Sequence, residues 1–501
     1  MTRWSESLTG AGSDNEGAGR DTRPTGYGLE AAKVTDTPGV PTSAILVLAL
    51  VVSVAAWSRQ AGPALMVGIG LILAVVQRSP RRLLGVAGLV ALVALAGAER
   101  ADRAWAEFTP DSVGPFVGWV SVVDDPQPYE GATRVIVEIE GQRFEVWARG
   151  RAFRQRVSGW RGGERIRVEG DRAALDADRA RRVAWQHVVG SFEVEWAADE
   201  DPGPPLARAS NKVRGAIEEA AAHLPPDAGA LFRGLVVGDD RDQSRNTIEA
   251  FRASGLSHLT AVSGQNVAFL LAAAGPLLVR IRPVPRWLIT LALIAWFVSL
   301  TRFEPSIVRA GTMAAFSATA FLVGAVASAV RSLGLAVIVL ILVDPLIVGS
   351  VGFWLSVGAT LGVTAAGPRI AGLLPGLGKL AVPVGVTFGA QLGVALPAVL
   401  VFGRLPLVSI PANLLAVPVA GAVMLYGLPA GLLAGTIEPL APVLMAPAHL
   451  GVWWVDLVAH SAAGVEPGPG RSATGWAVLG FALLLLAVRR RFRMRHRAAR
   501  N

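Results

Sequence analysis

Apolar residues in this chain come in long blocks, and that constrains its fold more than any single motif. Three blocks lie near 43–58, 63–77 and 83–98. About nine more follow, at 256–279, 287–301, 305–325, 332–343, 350–366, 380–402, 407–434, 442–462 and 474–488. Most have roughly the length a helix needs to cross the hydrocarbon of a bilayer. Only 17% of the 501 residues are charged, against about 25% in an ordinary soluble domain, and the mean hydropathy is +0.47. A soluble enzyme is excluded. The pattern predicts a polytopic α-helical membrane protein.

The net charge of +9 acquires meaning only from where it sits. Arg78, Arg81 and Arg82 separate the second and third blocks, and the positive-inside rule assigns that loop to the cytoplasm. The core then has Arg280, Arg282, Arg286, Arg331, Arg369 and Lys379 in inner loops, and Arg302, Arg404 and Arg471 in outer ones. An odd number of core spans brings the tail RRRFRMRHRAAR to the cytoplasm. The expected order is a disordered cytoplasmic tail (1–42), three spans (43–98), an extracytoplasmic β domain (99–203), interfacial amphipathic helices (204–255), a membrane core (256–488) and a basic cytoplasmic tail (489–501).

Residues 99–203 differ in kind. FVGWVSVV, TRVIVEIEG, RFEVWARG, ERIRVEG and GSFEVEW alternate apolar and polar residues between turn formers, as half-buried antiparallel strands do. Five or six short strands suit a small β-barrel, OB-like by first expectation. Within it Arg149, Arg151, Arg154, Arg156, Arg161, Arg165 and Arg167 cluster with Trp147 and Trp160. Arginine with aromatics suits a single-strand platform, where bases stack and phosphates pair; a solvated charged hairpin has the same composition.

Chemistry-bearing motifs are few. There is no cysteine, so disulfides, iron–sulfur clusters and thiol catalysis are excluded. His187, His223, His258, His449, His460 and His496 are scattered, and no metal or cofactor is expected. The most informative stretch is FRASGLSHLTAVSGQNV, Phe251–Val267. It sets Ser263, Gln265 and Asn266 beside Gly264 at membrane depth, where polar groups survive only inside protein or beside water. Interhelical hydrogen bonding and a water-filled path both fit.

GLSHLTAVSGQNV resembles the signature of the ComEC family of competence proteins through Gly255–Leu259, Ala261–Gly264 and Val267. Gln265 and Asn266 stand where many members have Leu and His; an asparagine still hydrogen-bonds but cannot carry a proton. Further similarity follows in order: LVVGDD (Leu235–Asp240), EPSIVRAGTMA with Pro305, Ser306, Arg309 and Met313, DPLIVGSVGFWLS with Asp344, Phe353 and Ser356, and the stretch holding Gln391, Pro397, Asn413 and Pro418. The resemblance implies a bacterial inner-membrane channel that takes up single-stranded DNA in natural transformation, working with a DNA receptor protein, a separate nuclease and a cytoplasmic ATP-driven motor. Many members carry a metallo-β-lactamase-like domain; with no H-x-H-x-D-H here, no catalysis is expected.

On this reading His258, Ser263, Gln265, Asn266, Ser306, Arg309, Ser356, Gln391 and Asn413 are the path candidates. Arg309 either snorkels to the outer interface or meets phosphate, which a guanidinium suits. His258 either packs or lines the path, and Asp344 before Pro345 caps a helix or binds a cation. His449, Asp456 and His460 read as structural. The alternatives are a transporter for another anionic or small polar solute, and a membrane hydrolase built on His258, Ser263 and an acid.

Overall fold

A computed structural model describes residues 41–75, 80–260, 263–325 and 328–498. The expected disordered tail (1–42) lies almost entirely outside them, as do Ala261 and Val262 of the signature stretch. Nineteen α-helices and six strands form the described part. Helices α1 (Thr42–Ser58), α2 (Ala61–Val75) and α3 (Pro80–Ala106) lead into the sheet. Val51, Val52 and Ala55 of α1 are fully buried against α3, and Gly97 lies over Val52. The second half of this packing unit is α13 (Ala329–Val343) with Phe353 of α14 (Val351–Leu361).

The sheet has strands β1 (Gly114–Val122), β2 (Gln127–Tyr129), β3 (Ala132–Ile139), β4 (Gln142–Arg149), β5 (Arg165–Ala174) and β6 (Val188–Asp201), in the order β1-β5-β6-β4-β3-β2. All pairs are antiparallel except β4 with β6, and β1 also pairs with β3 through Ser121–Glu138 and Val122–Val137. Strand alternation does what period-2 burial requires: Ile166 and Val168 are inside, while Arg165, Arg167 and Glu169 are exposed. Two short helices, α4 (Arg151–Ser158) and α5 (Ala177–Val183), are elements the alternation did not announce. Trp160 is a correction: only 1% exposed, it fills the sheet core beside Phe144 and Phe192 and cannot stack a base.

Beyond the sheet come α6 (Pro205–Ala221), α7 (Pro226–Val237), α8 (Arg245–Ser254) and α9 (Ser257–Thr260). They were expected along the membrane surface. Of these, α7 is buried continuously from Gly229 to Val237, and Phe232 packs where Gly427 and Gly431 leave no side chain in the way. The apolar face of α7 is thus consumed by α17 (Ser409–Ala434) and α18 (Ala441–Val465).

The expected span 256–279 is interrupted: α9 ends at Thr260, and Ser263 caps α10 (Gly264–Leu278) by accepting from the Gln265 N–H at 3.3 Å. Then come α11 (Pro283–Leu300) and α12 (Pro305–Leu322). After α14 a π-turn at Gly362–Ala366 joins it to α15 (Gly367–Ala371), followed by α16 (Ala381–Phe402). A Cβ on Gly358 or Gly362 would fall 2.2 or 2.0 Å from a carbonyl oxygen of α16. That backbone-to-backbone approach, the small-residue packing of membrane helices, fixes α14 and the Ser356 it carries. Finally α19 runs from Pro469 to Ala498, into the basic tail. Among the described residues six helices are long and apolar enough to cross a membrane, including Pro283–Leu300, Ser409–Ala434 and Gly470–Arg490. Four shorter apolar helices accompany them, Thr42–Ser58, Ala61–Leu71, Gly264–Leu278 and Ala329–Val343. The chain is a multi-pass membrane protein with a sheet domain inserted between its helices.

Candidate functional site

Two polar assemblies stand out. The first is centred on Arg309, in the second turn of α12 and 4% exposed. Snorkelling is ruled out by that burial. Its Nε and Nη2 both donate to the Ser356 hydroxyl of α14, at 3.0 and 2.6 Å, and Nη1 approaches the Met313 sulfur at 2.9 Å. No carboxylate pairs with it among the described residues. Removing an arginine from water without a counter-charge costs several kcal/mol, and a hydroxyl compensates little of that.

The N-terminus of α10 comes to the same place. A Cβ on Gly264 would lie 2.9 Å from Nη2 of Arg309 and 2.9 Å from Cβ of Ala310, so only glycine admits this crossing. Two residues on, Asn266 is buried; its Oδ1 accepts from the Ser263 hydroxyl at 3.3 Å, but its Nδ2 has no partner. The first-turn N–H groups of a helix carry partial positive charge. The buried guanidinium therefore meets the N-terminus of α10, whose first turn also carries the unpartnered Asn266 amide N–H, so donors are in excess at this end of the helix. An anion is what such a place can hold.

The other path candidates are distributed unevenly. Ser306 lies on the first turn of α12, below Arg309. Gln265 is exposed on α10, and His258 is exposed on α9. Gln391 is half-buried on α16. Asn413 is accounted for within α17: its Nδ2 donates to the Ser409 carbonyl at 2.6 Å. Ser409 in turn packs under Gly255, whose φ of 73° ends α8. Asp344 caps the turn at Pro345 through the Leu346 N–H, and pairs with His187 of the sheet domain at 3.1 Å. Asp456 and His460 pair at 3.2 Å within α18, without His449.

The second assembly joins the sheet domain to the helices, and sequence reasoning missed it. Asp125, in the turn after β1, receives Arg214 of α6 at 2.8 Å and Arg302, from the α11–α12 turn, at 2.9 Å. The Gly162 N–H donates to the same carboxylate, and Asn211 accepts from Arg302 at 2.6 Å. Arg214 also donates to the carbonyls of Val237 and Leu300, and Arg241 clamps Asp239 through two hydrogen bonds of 2.7 and 2.8 Å. One signal was available: Ser210, Arg214, Ile217 and Ala221 share the buried stripe of α6, so a guanidinium sat at an apolar position of a helical repeat.

Burial would raise the Asp125 carboxyl, but Arg214, Arg302 and Arg241 outweigh it and hold it well below the usual carboxylate range. Its neighbours move the other way. Burial and the charge of Asp125 push Asp124 up to about 6, and burial with Asp124 and Asp240 pushes Glu304 up to about 7. Unfolded carboxyls titrate near 4, so folding holds protons on Asp124 and Glu304 between about pH 4 and 7. Their linkage makes stability fall as pH rises through that window, whereas the Asp125 contribution is lost only as pH falls below about 4. Thermal midpoints of the full chain in detergent should therefore decline from pH 5 to pH 8. Asp124→Asn with Glu304→Gln should flatten that slope.

In the sheet domain the arginine cluster is divided. Arg161 pairs with Glu218 of α6 at 2.9 Å, Arg156 donates to the Ala197 carbonyl, and Arg154 is half-buried. Arg149 and Arg151 are exposed. Trp147 is half-buried under Arg179 and beside Tyr129, with centroids 5.2 Å apart. Arg165 and Arg167 stand with aromatics the sequence reading did not name: Arg165 covers Trp119 at 5.6 Å, and the register aligns Trp119 with Arg167 and Trp196 with Glu169. Trp119 and Trp196 are 42% and 49% exposed on this face.

No solved structure matches the chain. ComE operon protein 3 of Bacillus subtilis (strain 168) is 30% identical over 198 residues, which cover 39% of this chain and a quarter of that relative. The family model described as Competence protein matches residues 235–493, and this range holds His258, Asn266, Arg309 and Ser356. With more than half of its length matched, from the end of α7 into α19, the chain belongs to the Competence protein family.

Proposed function

We propose that this protein passes single-stranded DNA through the bacterial inner membrane during natural transformation. The observation that supports this most is Arg309, a buried guanidinium with no carboxylate partner among the described residues, in a member of a competence family. A passing phosphate would supply the missing charge, and a guanidinium binds phosphate oxygens with paired donors. One fixed contact per phosphate is indifferent to base sequence, as transport of arbitrary DNA requires. On this reading the termini are cytoplasmic, energy and strand degradation come from separate proteins, and no reaction is assigned to this chain.

The sheet domain, on the outer side, would guide the strand. Its pairing circuit β1-β5-β6-β4-β3-β1, with one parallel pair, supports closure into an OB-like barrel. Trp119, Arg165, Arg167 and Trp196 then make the stacking platform, in place of Trp160. Base–aromatic stacking is worth about 1–3 kcal/mol per base. Trp119→Ala with Trp196→Ala should weaken oligonucleotide binding by the full chain in nanodiscs at least tenfold, with binding steeply reduced by salt.

The deciding experiment is uptake of labelled DNA by a deletion strain with and without the complementing gene. Wild-type uptake in the deletion strain would overturn the reading. Uptake of free phosphate or another anion instead of DNA would replace it with solute transport.

A further inference from the structure

We propose that the groove between α10, α11 and α12, at the end of these helices away from the sheet, is a binding site for one anionic phospholipid. The cavity there has a volume of about 420 Å³ and is walled by Leu271, Leu278, Ala318, Phe321 and Leu322, with Arg286 at its rim. Its depth in the membrane follows from α11. The C-terminal end of that helix is followed by Arg302, bonded to Asp125 of the sheet domain. Eighteen residues at 1.5 Å each span about 27 Å, close to the hydrocarbon thickness. Arg282, the N-cap of α11, and Arg280 and Arg286 on either side of it therefore sit at the opposite membrane face.

These arginines have no acid nearby in sequence: none occurs between Glu249 and Glu304, or between Glu304 and Asp344. Nor does any of the three form an ion pair among the described residues. Arg280 donates to the Pro276 carbonyl at 2.5 Å, and the Arg286 guanidinium lies 4.5 Å from the centre of the Phe321 ring. Trp287, which donates to Thr319 at 3.1 Å, holds the interfacial position that indoles favour. An apolar slot of this volume thus lies against the Arg286 guanidinium, with Arg280 and Arg282 close by in sequence and none of the three in an ion pair among the described residues. A lipid phosphate meets both demands, and basic pockets between helices on the cytoplasmic side are where anionic headgroups bind. A lipid seated there would brace α10 and α12, whose other ends carry Asn266 and Arg309. The site is independent of what the chain transports.

The test is lipid retention by the purified full chain, measured by native mass spectrometry with phosphatidylglycerol and phosphatidylcholine added separately. Wild type should retain one phosphatidylglycerol at a concentration at least tenfold below that needed for phosphatidylcholine. Arg280→Gln with Arg286→Gln should erase the difference, and Ala318→Phe, which fills the slot and leaves the arginines intact, should reduce retention of phosphatidylglycerol at least fivefold. Equal retention of the two lipids by wild type would overturn the proposal, as would unchanged retention by the Ala318→Phe protein.

Discussion

Arg309→Met should lower DNA uptake by roughly 10- to 100-fold, as expected for loss of a charge-assisted phosphate contact of about 1.5–3 kcal/mol, and should leave the protein as stable as wild type or more so. The two halves of this expectation belong together. A side chain kept for folding unfolds the protein when it is removed. Arg309, though, has no carboxylate to strand among the described residues: its partners there are one hydroxyl and one thioether. Replacing it with an apolar chain of similar length removes a buried charge and returns the desolvation cost. Thermal midpoints in detergent, measured beside uptake in the complemented strain, separate the cases. A midpoint several degrees below wild type would assign Arg309 to the structure and remove the main support for the phosphate contact. Gly264→Val is the companion variant, since its added carbons would displace Arg309 from Ser356 and should reduce uptake comparably with every donor still present.

Asp125→Ala should be the most destabilising substitution in the junction, at about 3–5 kcal/mol, the cost of leaving a buried charge unpaired. It takes the near carboxylate from two guanidiniums at once, those of Arg214 and Arg302, both within 3 Å of it, and leaves Arg214 only the longer pair with Asp239 at 3.9 Å. Arg302→Ala should cost less, because Asp125 keeps Arg214. Arg241 and Asp239 retain each other in both variants. The expected order of thermal midpoints is wild type, Arg302→Ala, then Asp125→Ala. Limited proteolysis in the segment after β6 should accelerate in the same order as the sheet domain works loose. Equal midpoints for wild type and Asp125→Ala would mean that the ionic cluster does not hold the two parts together.

The helices were legible because burial in a bilayer demands long apolar runs, and all twelve blocks read from the sequence correspond to helices or broken helices in the fold. The strands were legible because a half-buried sheet alternates, although β2, α4 and α5 are too short to impose a period. Arg309 was marked by its expense among apolar neighbours. What it meets was not: Ser356 is 47 residues away, and its approach depends on α14 lying backbone to backbone with α16. Trp160 and Trp119 look equivalent in sequence, each with arginines close by. One is sealed in the sheet core and the other opens to solvent, because Trp160 follows α4 and is packed by it into the core, whereas Trp119 stands on the outward side of β1. Asp125, Arg214 and Arg302 come from three segments separated by 177 residues end to end. Each reads alone as an ordinary charged residue. Sequence, through hydrophobic period and the cost of isolated charge, determined that this is a membrane protein with a guanidinium in its core; only the tertiary structure decided which charges are paired, and that Arg309 has no carboxylate partner among the described residues, because pairing joins segments far apart in the chain.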